Sequence, residues 1–351
     1  MSRFGFFFAA LLTVWPLQLS ALTVNNLNRA LVPVADHSNA QLQRATRAGF
    51  SQVLVKMSGS HDVLRNPTVD AALGQAQRYM QRYQYIREPD DSLRLQVHFD
   101  TQLVSELLRS AQAPLWTANR PPLLIWLVVE DANGRHTATR ESNPLLIDAL
   151  TADLERRGVP AVFPLYDLQD TVAVSVHDLW RQDALTVSRA SQRYGTANVL
   201  MGRMTELAQD RWMGDWVYLY DSTSTATSFY GQEPSSFSLE AVDFVADRMA
   251  ARYAVAAGDD MGSQILIRVD DLADYSDYRA VLTYFEQIEL VDAAWPAYLE
   301  GESVVFRLRA QADAEQLHRI VALNRRLERQ LEPDPLQHGP LNTALAYRWS
   351  Q

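Results

Sequence analysis

The chain has 351 residues, a net charge of -10 at pH 7 and a hydrophobic content of 47%. This length favours two or three domains, and the ordinary share of apolar and charged residues indicates a folded chain. The acidic balance argues against a general nucleic-acid binder, which would carry a basic face. It also argues against a strongly anionic membrane surface as partner.

Two residue types are rare or absent. The chain has no cysteine, which excludes disulfides, thiolate zinc sites, iron–sulfur clusters and thiol nucleophiles. Of the 32 Lys and Arg residues, one is a lysine, Lys56. Lys56 is therefore the one side chain able to serve Schiff-base chemistry or a phosphate loop. It lies in VLVKMSG, in the last turn of an expected helix, where a cation complements the helix dipole.

The first residues have the layout of a secretory signal. A basic residue precedes an apolar run from Phe4 to Trp15, and small residues follow. We expect residues 1–21 to be a signal peptide that is cleaved after Ala21, which places the mature protein in the periplasm without a membrane span. Leu19 departs from the small residue preferred three positions before such a cut. An uncleaved inner-membrane anchor is therefore the alternative.

Residues 22–117 are predicted to form an N-terminal α+β domain. NRALVPV is typical of a strand, and the helix that follows it is expected to end at Gly59. Asn66 then caps a second helix, with proline at its first position. The runs YQYIRE and LRLQVHF flank a turn and predict a hairpin, after which Asp100 caps a last helix.

Residues 118–257 are predicted to form a middle three-layer α/β domain. LLIWLVVE is a continuous apolar run, which suits a strand buried on both faces. A helix from Asn143 to about Arg157 and the strand VPAVFPL complete a β-α-β step, which predicts parallel strands. A helix ending near Tyr194 leads into the strand ANVLMGRM, an antiparallel hairpin and a helix to Tyr253.

Residues 263–351 are predicted to form a C-terminal domain after a Gly- and Asp-rich linker. Its order is strand QILIRV, helix YRAVLTYFEQI, strands LVDAAWPAYL and SVVFRLR, helix AEQLHRIVALNRRL and a terminal strand ALAYRW. This is the split β-α-β, ferredoxin-like pattern, and the N-terminal domain repeats it with one inserted helix. We therefore expect a mixed α/β and α+β fold, with the middle domain flanked by two ferredoxin-like (βαββα) domains.

No catalytic constellation is present in the sequence. The seven histidines do not have helical metal-ligand spacing, and neither H-E-x-x-H nor G-x-S-x-G occurs. Ser60, His61 and Asp62 are consecutive, but neighbouring side chains cannot point at one another as a catalytic triad requires. The sequence therefore predicts no catalytic residue, no metal site and no cofactor.

The loop EDANGRHTATRES precedes the helix that starts at Asn143. It contains Arg135 and Arg140, and guanidinium groups beside the free amides of a helix start can form an anion pocket. The loop also follows the carboxyl end of a central strand, where open α/β sheets bind ligands. Arg135, Arg140 and Asn143 are therefore candidate anion-binding residues. The alternative is that the three carboxylates of the same loop pair with the arginines.

The strand RWMGDWVYLY carries aromatic residues at alternate positions, which places them on one face. An aromatic face can stack on sugars or receive a partner's side chains. The alternative is that a helix of the same chain covers this face. The candidate partner- or ligand-binding residues are Trp212, Trp216, Tyr218 and Tyr220.

The stretch RYGTANVLMGRM invites a phosphate-loop interpretation through Gly195 and Gly202. A phosphate loop follows a strand and opens a helix, whereas here the helix comes first. We expect Gly195 to end that helix in a left-handed conformation. Gly202 is expected to mark a bulge or a close packing contact within the strand.

Several stretches are characteristic in combination: VPV near Val32, VLVKMSG, the NP at 66–67, ANRPPLLIWL, RGVPAVFPLYDLQD, RYGTANVLMGRM, the W-x-x-x-W hairpin and RYAV. Together they resemble a family of exported Gram-negative bacterial proteins of unknown function, DUF2066. The resemblance implies export and no known activity, so it supplies no catalytic residue. The middle segment alone is similar to the amino-terminal domain of the Tol translocation protein. Such domains bind partner proteins, and this similarity is at the level of the fold.

The sequence therefore favours a non-enzymatic periplasmic scaffold or binding protein for another cell-envelope component. The alternative is a cell-wall glycan-binding protein or enzyme that uses the aromatic hairpin face. A third hypothesis is a small-anion sensor that uses Arg135 and Arg140. The identity of the partner and the oligomeric state stay open.

Overall fold

The computed structural model describes residues 22–207, 211–221, 223–231, 234–255, 263–310, 312–323, 326–330 and 343–350. The predicted signal peptide and most of the predicted linker before residue 263 lie outside these ranges. The fold is a mixture of helices and strands, as predicted. Within the described ranges, no helix combines the length and apolar character that crossing a membrane requires.

The N-terminal segment is a three-stranded antiparallel sheet with helices on one face. Its elements are β1 (Leu22–Thr23), β2 (Arg29–Pro33), α1 (Asn39–Ser58), α2 (Pro67–Leu73), β3 (Met80–Arg87), β4 (Leu93–Phe99) and α3 (Thr101–Ser110). The strand order is β2-β4-β3. Helix α1 packs on this sheet through fully buried residues such as Phe50, whose ring lies 5.2 Å from that of Phe99. It ends at Gly59, as predicted, and Gly59 has the left-handed conformation.

The middle segment has three layers, with helices on both faces of one sheet. Its elements are β5 (Asn119–Arg120), β6 (Leu123–Asp131), β7 (Gly134–Thr137), α4 (Pro144–Arg157), β8 (Ala161–Val162), α5 (Leu168–Ala173), α6 (Val176–Trp180), α7 (Ala184–Ser191), β9 (Asn198–Leu207), β10 (Arg211–Tyr220), β11 (Thr223–Gly231) and α8 (Pro234–Tyr253). The strand order is β11-β10-β9-β6-β7, and β8 also pairs with β6.

Strand β6 is buried on both faces, as its continuous apolar run predicts. One face, with Ile125, belongs to the core formed with α4 and α8, and the other face, with Trp126, belongs to the core formed with α6 and α7. The predicted strand VPAVFPL is shorter than expected, because only Ala161 and Val162 pair with β6. The long parallel partner of β6 is β9.

The C-terminal segment has the predicted β-α-β-β-α order followed by a terminal strand. Its elements are β12 (Ser263–Asp270), α9 (Tyr275–Gln287), β13 (Val291–Glu300), β14 (Ser303–Ala310), α10 (Ala314–Val321), β15 (Leu327–Arg329) and β16 (Leu345–Trp349). The strand order is β13-β14-β12-β16-β15. The first three strands therefore have the same spatial arrangement as β2, β3 and β4 in the N-terminal sheet.

Two features of this segment differ from the prediction. Helix α10 ends at Val321, and Leu327, which we expected to be helical, is buried in β15. Strand β16 runs parallel to β12, whereas a ferredoxin-like crossover from β14 would deliver an antiparallel strand there. The physical reason is that the chain after α10 first forms β15. It then returns as β16, which lies between β12 and β15.

Gly202 provides a test of packing between β9 and the hairpin. It lies opposite Trp216 in an unbroken register, and a Cβ built on it would overlap the Trp216 ring and come within 2.7 Å of Leu127. The close packing contact is therefore the correct alternative, and no bulge is present at this position.

We expect Gly202→Ala to lower the free energy of unfolding by about 1–3 kcal/mol, because this core cannot accept an added methyl group. Urea denaturation followed by tryptophan fluorescence measures the loss. Gly74→Ala is the matched control, since Gly74 has a helical backbone (φ -65) and its added Cβ would meet an ordinary contact at 3.4 Å. Equal stability of the two variants would contradict the packing argument.

Candidate functional site

The aromatic face of β10 lies beneath α8. Trp216 is completely buried, and its ring centroid lies 4.5 Å from that of Phe237 on α8. The Tyr218 hydroxyl is buried with it and donates to Asn198 Oδ1 at 2.6 Å. The structure therefore shows the core alternative for this face, because α8 covers it.

The two outer aromatic residues of the candidate set are less enclosed. Trp212 and Tyr220 are partly buried and pack against the same core. Tyr220 also receives the Arg252 guanidinium over its ring, 3.3 Å from the centroid. The four aromatic side chains consequently do not form one open binding surface.

The candidate anion-binding loop contains paired charges. Arg135 Nε donates to Glu130 Oε1 at 2.8 Å, and Arg140 Nη2 lies 3.2 Å from Asp148 Oδ1. Asn143 precedes α4 but makes no side-chain capping hydrogen bond. Arg135 thus pairs with a carboxylate of its own loop, which is the alternative that the sequence left open, whereas the partner of Arg140 lies on α4.

The consecutive Ser60, His61 and Asp62 form a cap. Ser60 Oγ accepts from the Asp62 amide at 3.1 Å, while His61 Nε2 points elsewhere and lies 3.6 Å from Asp243. Elsewhere in the part of the chain that the structure describes, no group of three or more His, Asp and Glu residues could hold a metal ion.

A cleft of about 690 Å³ lies between the N-terminal and middle segments. One wall is formed by β2, β4 and the last turns of α1, and the other by the second half of α4 and the chain up to Phe163. This volume lies within the range of ligand pockets, which occur preferentially at junctions between domains. We call this feature the Lys56 cleft.

Lys56 lies in the wall of the cleft with a 6% exposed side chain. Its Nζ donates to the carbonyl oxygen of Arg29 at 2.8 Å and more weakly to that of Asn26 at 3.5 Å. Burial lowers the pKa of Lys56 to about 8, and the charges of Arg120 and Arg29 act in the same direction. Among the described residues, no carboxylate forms an ion pair with it. Lys56 is therefore a buried cation whose hydrogen bonds go to backbone carbonyls, and the charge of Glu155 stabilises it at longer range.

The sheet contributes further cations to the same wall. Arg29 and Arg94 line the cleft and alternate along β2 and β4 with the buried residues that face α1. Strand alternation therefore places both arginines on the face opposite α1. The pKa of His98 on that face is lowered by burial and then by the charges of Arg82 and Arg29. Arginines from all three strands thus meet on this side of the sheet.

The backbone of β2 also opens toward the cleft. Strand β2 is at the edge of its sheet, and none of the strands that the structure describes pairs with its outer side. The Val34 amide donates to the carbonyl of Leu93. Because backbone groups alternate in direction along an antiparallel strand, the even-numbered residues of β2 form the hydrogen bonds with β4. The backbone groups of Leu31, which lines the cleft, therefore point outward.

The opposite wall carries charges that are largely satisfied within the protein. Asp153 pairs with Arg156 at 3.0 Å and accepts from Ser238 Oγ at 2.7 Å. Glu155 is the second carboxylate of the lining. The lining as a whole has four cations (Arg29, Lys56, Arg94 and Arg156) against these two carboxylates. The cleft is therefore positive in a chain whose net charge is -10.

The sequence interpretation did not identify this site. Lys56 was assigned to the helix end, yet it follows Gly49 and Val53 by seven and three residues, which is the spacing of the buried face of α1. A lysine at that spacing is a signal of a buried cation. Arg29 and Arg94 carry no comparable signal, because an arginine at an alternate strand position is usually solvated.

A family model described as a domain of unknown function (DUF8605) matches residues 21–117. This span contains the N-terminal wall of the cleft, with Arg29, Lys56 and Arg94. No curated protein matches the chain. The N-terminal wall of the Lys56 cleft thus belongs to a segment that fits an uncharacterised family.

Proposed function

We propose that this protein is a non-enzymatic, exported binding protein that holds an acidic segment of another cell-envelope protein in the Lys56 cleft. The observation that carries the proposal is the group of three cations, Arg29, Lys56 and Arg94, on one wall of an interdomain cleft. Guanidinium and ammonium groups are the donors that recognise carboxylates.

The electrostatics favour an acidic occupant. Lys56 has only carbonyl acceptors, and Arg94 has one distant carboxylate, Glu88 at 3.7 Å. A carboxylate bound near Lys56 would raise its pKa through the attraction of opposite charges, which offsets the effect of desolvation. The outward backbone groups of Leu31 support an extended segment, because such a segment can pair with an edge strand.

Export is supported by the signal layout of residues 1–21 and by the resemblance to the exported family DUF2066. The similarity of the middle segment to the Tol amino-terminal domain supports binding of a protein partner. The alternative of a glycan-binding protein or enzyme required an open aromatic face, and Trp216 is buried. The third hypothesis required free arginines at 135 and 140, and both are paired.

A crosslinking experiment in intact cells tests the proposal. A photoreactive amino acid at Leu31 is expected to capture a specific envelope protein. Arg29→Glu combined with Arg94→Glu should reduce this crosslink at least about tenfold, because each charge-assisted hydrogen bond contributes more than a factor of ten to affinity.

Arg44→Glu is the control for this experiment. Arg44 is exposed on α1, and its Nε donates only to the Ala40 carbonyl within its own helix, so its crosslink should equal that of the unmodified protein. A crosslink that survives the double substitution, or the absence of any crosslinked protein, would overturn the proposal.

A further inference from the structure

A second cavity, of about 310 Å³, lies between the middle and C-terminal segments. It is lined by the loop Gly195–Asn198 that precedes β9, by the end of α8 and by the end of α10. The loop is part of RYGTANVLMGRM, the stretch that suggested a phosphate loop. We call this feature the Arg252 cavity.

Three basic side chains from two segments converge on this cavity. Arg252 comes from the last turn of α8, and His318 and Arg319 come from the last turn of α10. Neither arginine forms an ion pair with a carboxylate among the residues that the structure describes. The Arg252 guanidinium is held against the ring of Tyr220, which fixes its position beside the cavity.

The neutral wall of the cavity is held rigidly. Gly195 adopts the left-handed conformation with φ 64, as predicted from the sequence. Thr196 Oγ1 donates to the Pro122 carbonyl at 2.5 Å, and Asn198 Nδ2 donates to the Tyr253 hydroxyl at 3.3 Å. A loop anchored in this way keeps its shape when the cavity is filled, which reduces the entropic cost of binding.

A helix-dipole role explains one cation in the last turn of each helix. It does not explain why Arg252 and Arg319, from helices in different segments, line one cavity whose described lining contains no carboxylate. A small anion bound in the cavity would interact favourably with both guanidinium groups.

We propose that the Arg252 cavity binds a small oxyanion, a phosphate or carboxylate group, independently of the Lys56 cleft. The apolar part of the lining would accommodate a short non-polar portion of the ligand; it comprises Pro121, Pro122, Ala322 and Leu323. Because its cations come from both segments, the bound anion would join the middle and C-terminal segments.

Isothermal titration calorimetry and thermal melting with inorganic phosphate, phenyl phosphate and benzoate test this proposal at constant ionic strength. We expect at least one of the three probes to bind at millimolar concentration or below and to raise Tm. Tighter binding of phenyl phosphate than of inorganic phosphate would assign the site to an organic phosphate, whereas equal binding would assign it to free phosphate. Binding of benzoate alone would assign it to a carboxylate.

The variants Arg319→Gln and Arg252→Gln should each weaken binding about tenfold or more, because each removes a charged donor. Arg248→Gln is the matched control, since Arg248 lies one turn earlier on α8 and over an aromatic ring, Phe244, at 3.7 Å. Arg319 is exposed, so its variant reports on binding even if Arg252→Gln destabilises the fold. Unchanged affinity in Arg319→Gln, or no binding of any probe, would overturn the proposal.

Discussion

Replacing Arg120 with methionine is expected to lower the free energy of unfolding by at least about 4 kcal/mol, a large share of the stability of an ordinary domain. The Arg120 side chain is completely buried and lies over the Trp116 ring at 3.9 Å. Burial lowers its pKa to about 9, and the Glu289 carboxylate acts in the opposite direction. The guanidinium is therefore charged at neutral pH.

The reason for the large effect is the set of acceptors around this guanidinium. It donates to five backbone carbonyls at 2.7 to 3.2 Å, which are those of Lys56, Trp116, Thr117, Arg157 and Gly158. Two of them, Lys56 and Arg157, belong to the last turns of α1 and α4, where a cation also offsets the helix dipoles. Methionine would leave these buried carbonyls without donors, and each such loss is costly.

Thermal and urea denaturation of Arg120→Met against the unmodified protein measure this effect. Arg65→Met is the control, since Arg65 is 86% exposed and pairs only with Asp62. We expect it to change stability by less than about 0.5 kcal/mol. A loss below about 1 kcal/mol in Arg120→Met would show that other donors replace the guanidinium.

Lys56→Met is expected to make the stability of the protein less dependent on pH in the alkaline range. The pKa of Lys56 is lowered to about 8 from an ordinary value of 10.5, so the unfolded chain binds more protons than the folded protein between these values. The stability of the unmodified protein should therefore rise with pH relative to Lys56→Met. The expected difference between pH 7 and pH 10 is about 2 kcal/mol.

The measurement is urea denaturation of both proteins at intervals from pH 7 to pH 10. Lys56→Arg serves as the control, because the ordinary pKa of a guanidinium lies well above this range. The stability of Lys56→Arg should not show the pH dependence that Lys56 causes, although this variant keeps a buried cation. A difference between the unmodified protein and Lys56→Met that stays constant with pH would show that the folded protein does not perturb Lys56.

Arg120 also brings together three stretches that are separate in the sequence. Its own stretch, ANRPPLLIWL, meets VLVKMSG through the Lys56 carbonyl and RGVPAVFPLYDLQD through the carbonyls of Arg157 and Gly158. The structure shows that they meet around one buried guanidinium.

Local features of the fold were predictable from the sequence. The cap at Asp100, the helix end at Gly59 and the left-handed conformation of Gly195 are where the sequence places them. Each depends on residues within about one helical turn, so nearby residues carry the required information. Period-two alternation likewise placed the aromatic residues of β10 on one face.

The contacts of each face were not predictable in the same way. Alternation shows that Trp216 and Tyr218 share a side, but the covering helix α8 follows in the chain only after β11. The arginines at 135 and 140 have the sequence context of an anion site, and the geometry of the loop decides that each pairs with a carboxylate. Charged residues in a loop therefore do not by themselves show whether the loop can bind an anion or whether its charges pair within the protein.

The sequence by itself determined the types of element, most of their ends and the mixed α/β character of the chain. Only the tertiary structure decided that α8 covers the aromatic face of β10. It also decided that Arg29, Lys56 and Arg94 line one cleft, and that the Arg120 guanidinium donates hydrogen bonds to carbonyls at the ends of α1 and α4. The physical reason is separation along the chain. Caps and periodicity act over a few residues, whereas the bond from Arg120 to the Lys56 carbonyl spans 64 residues and exists only once the sheets and helices have packed.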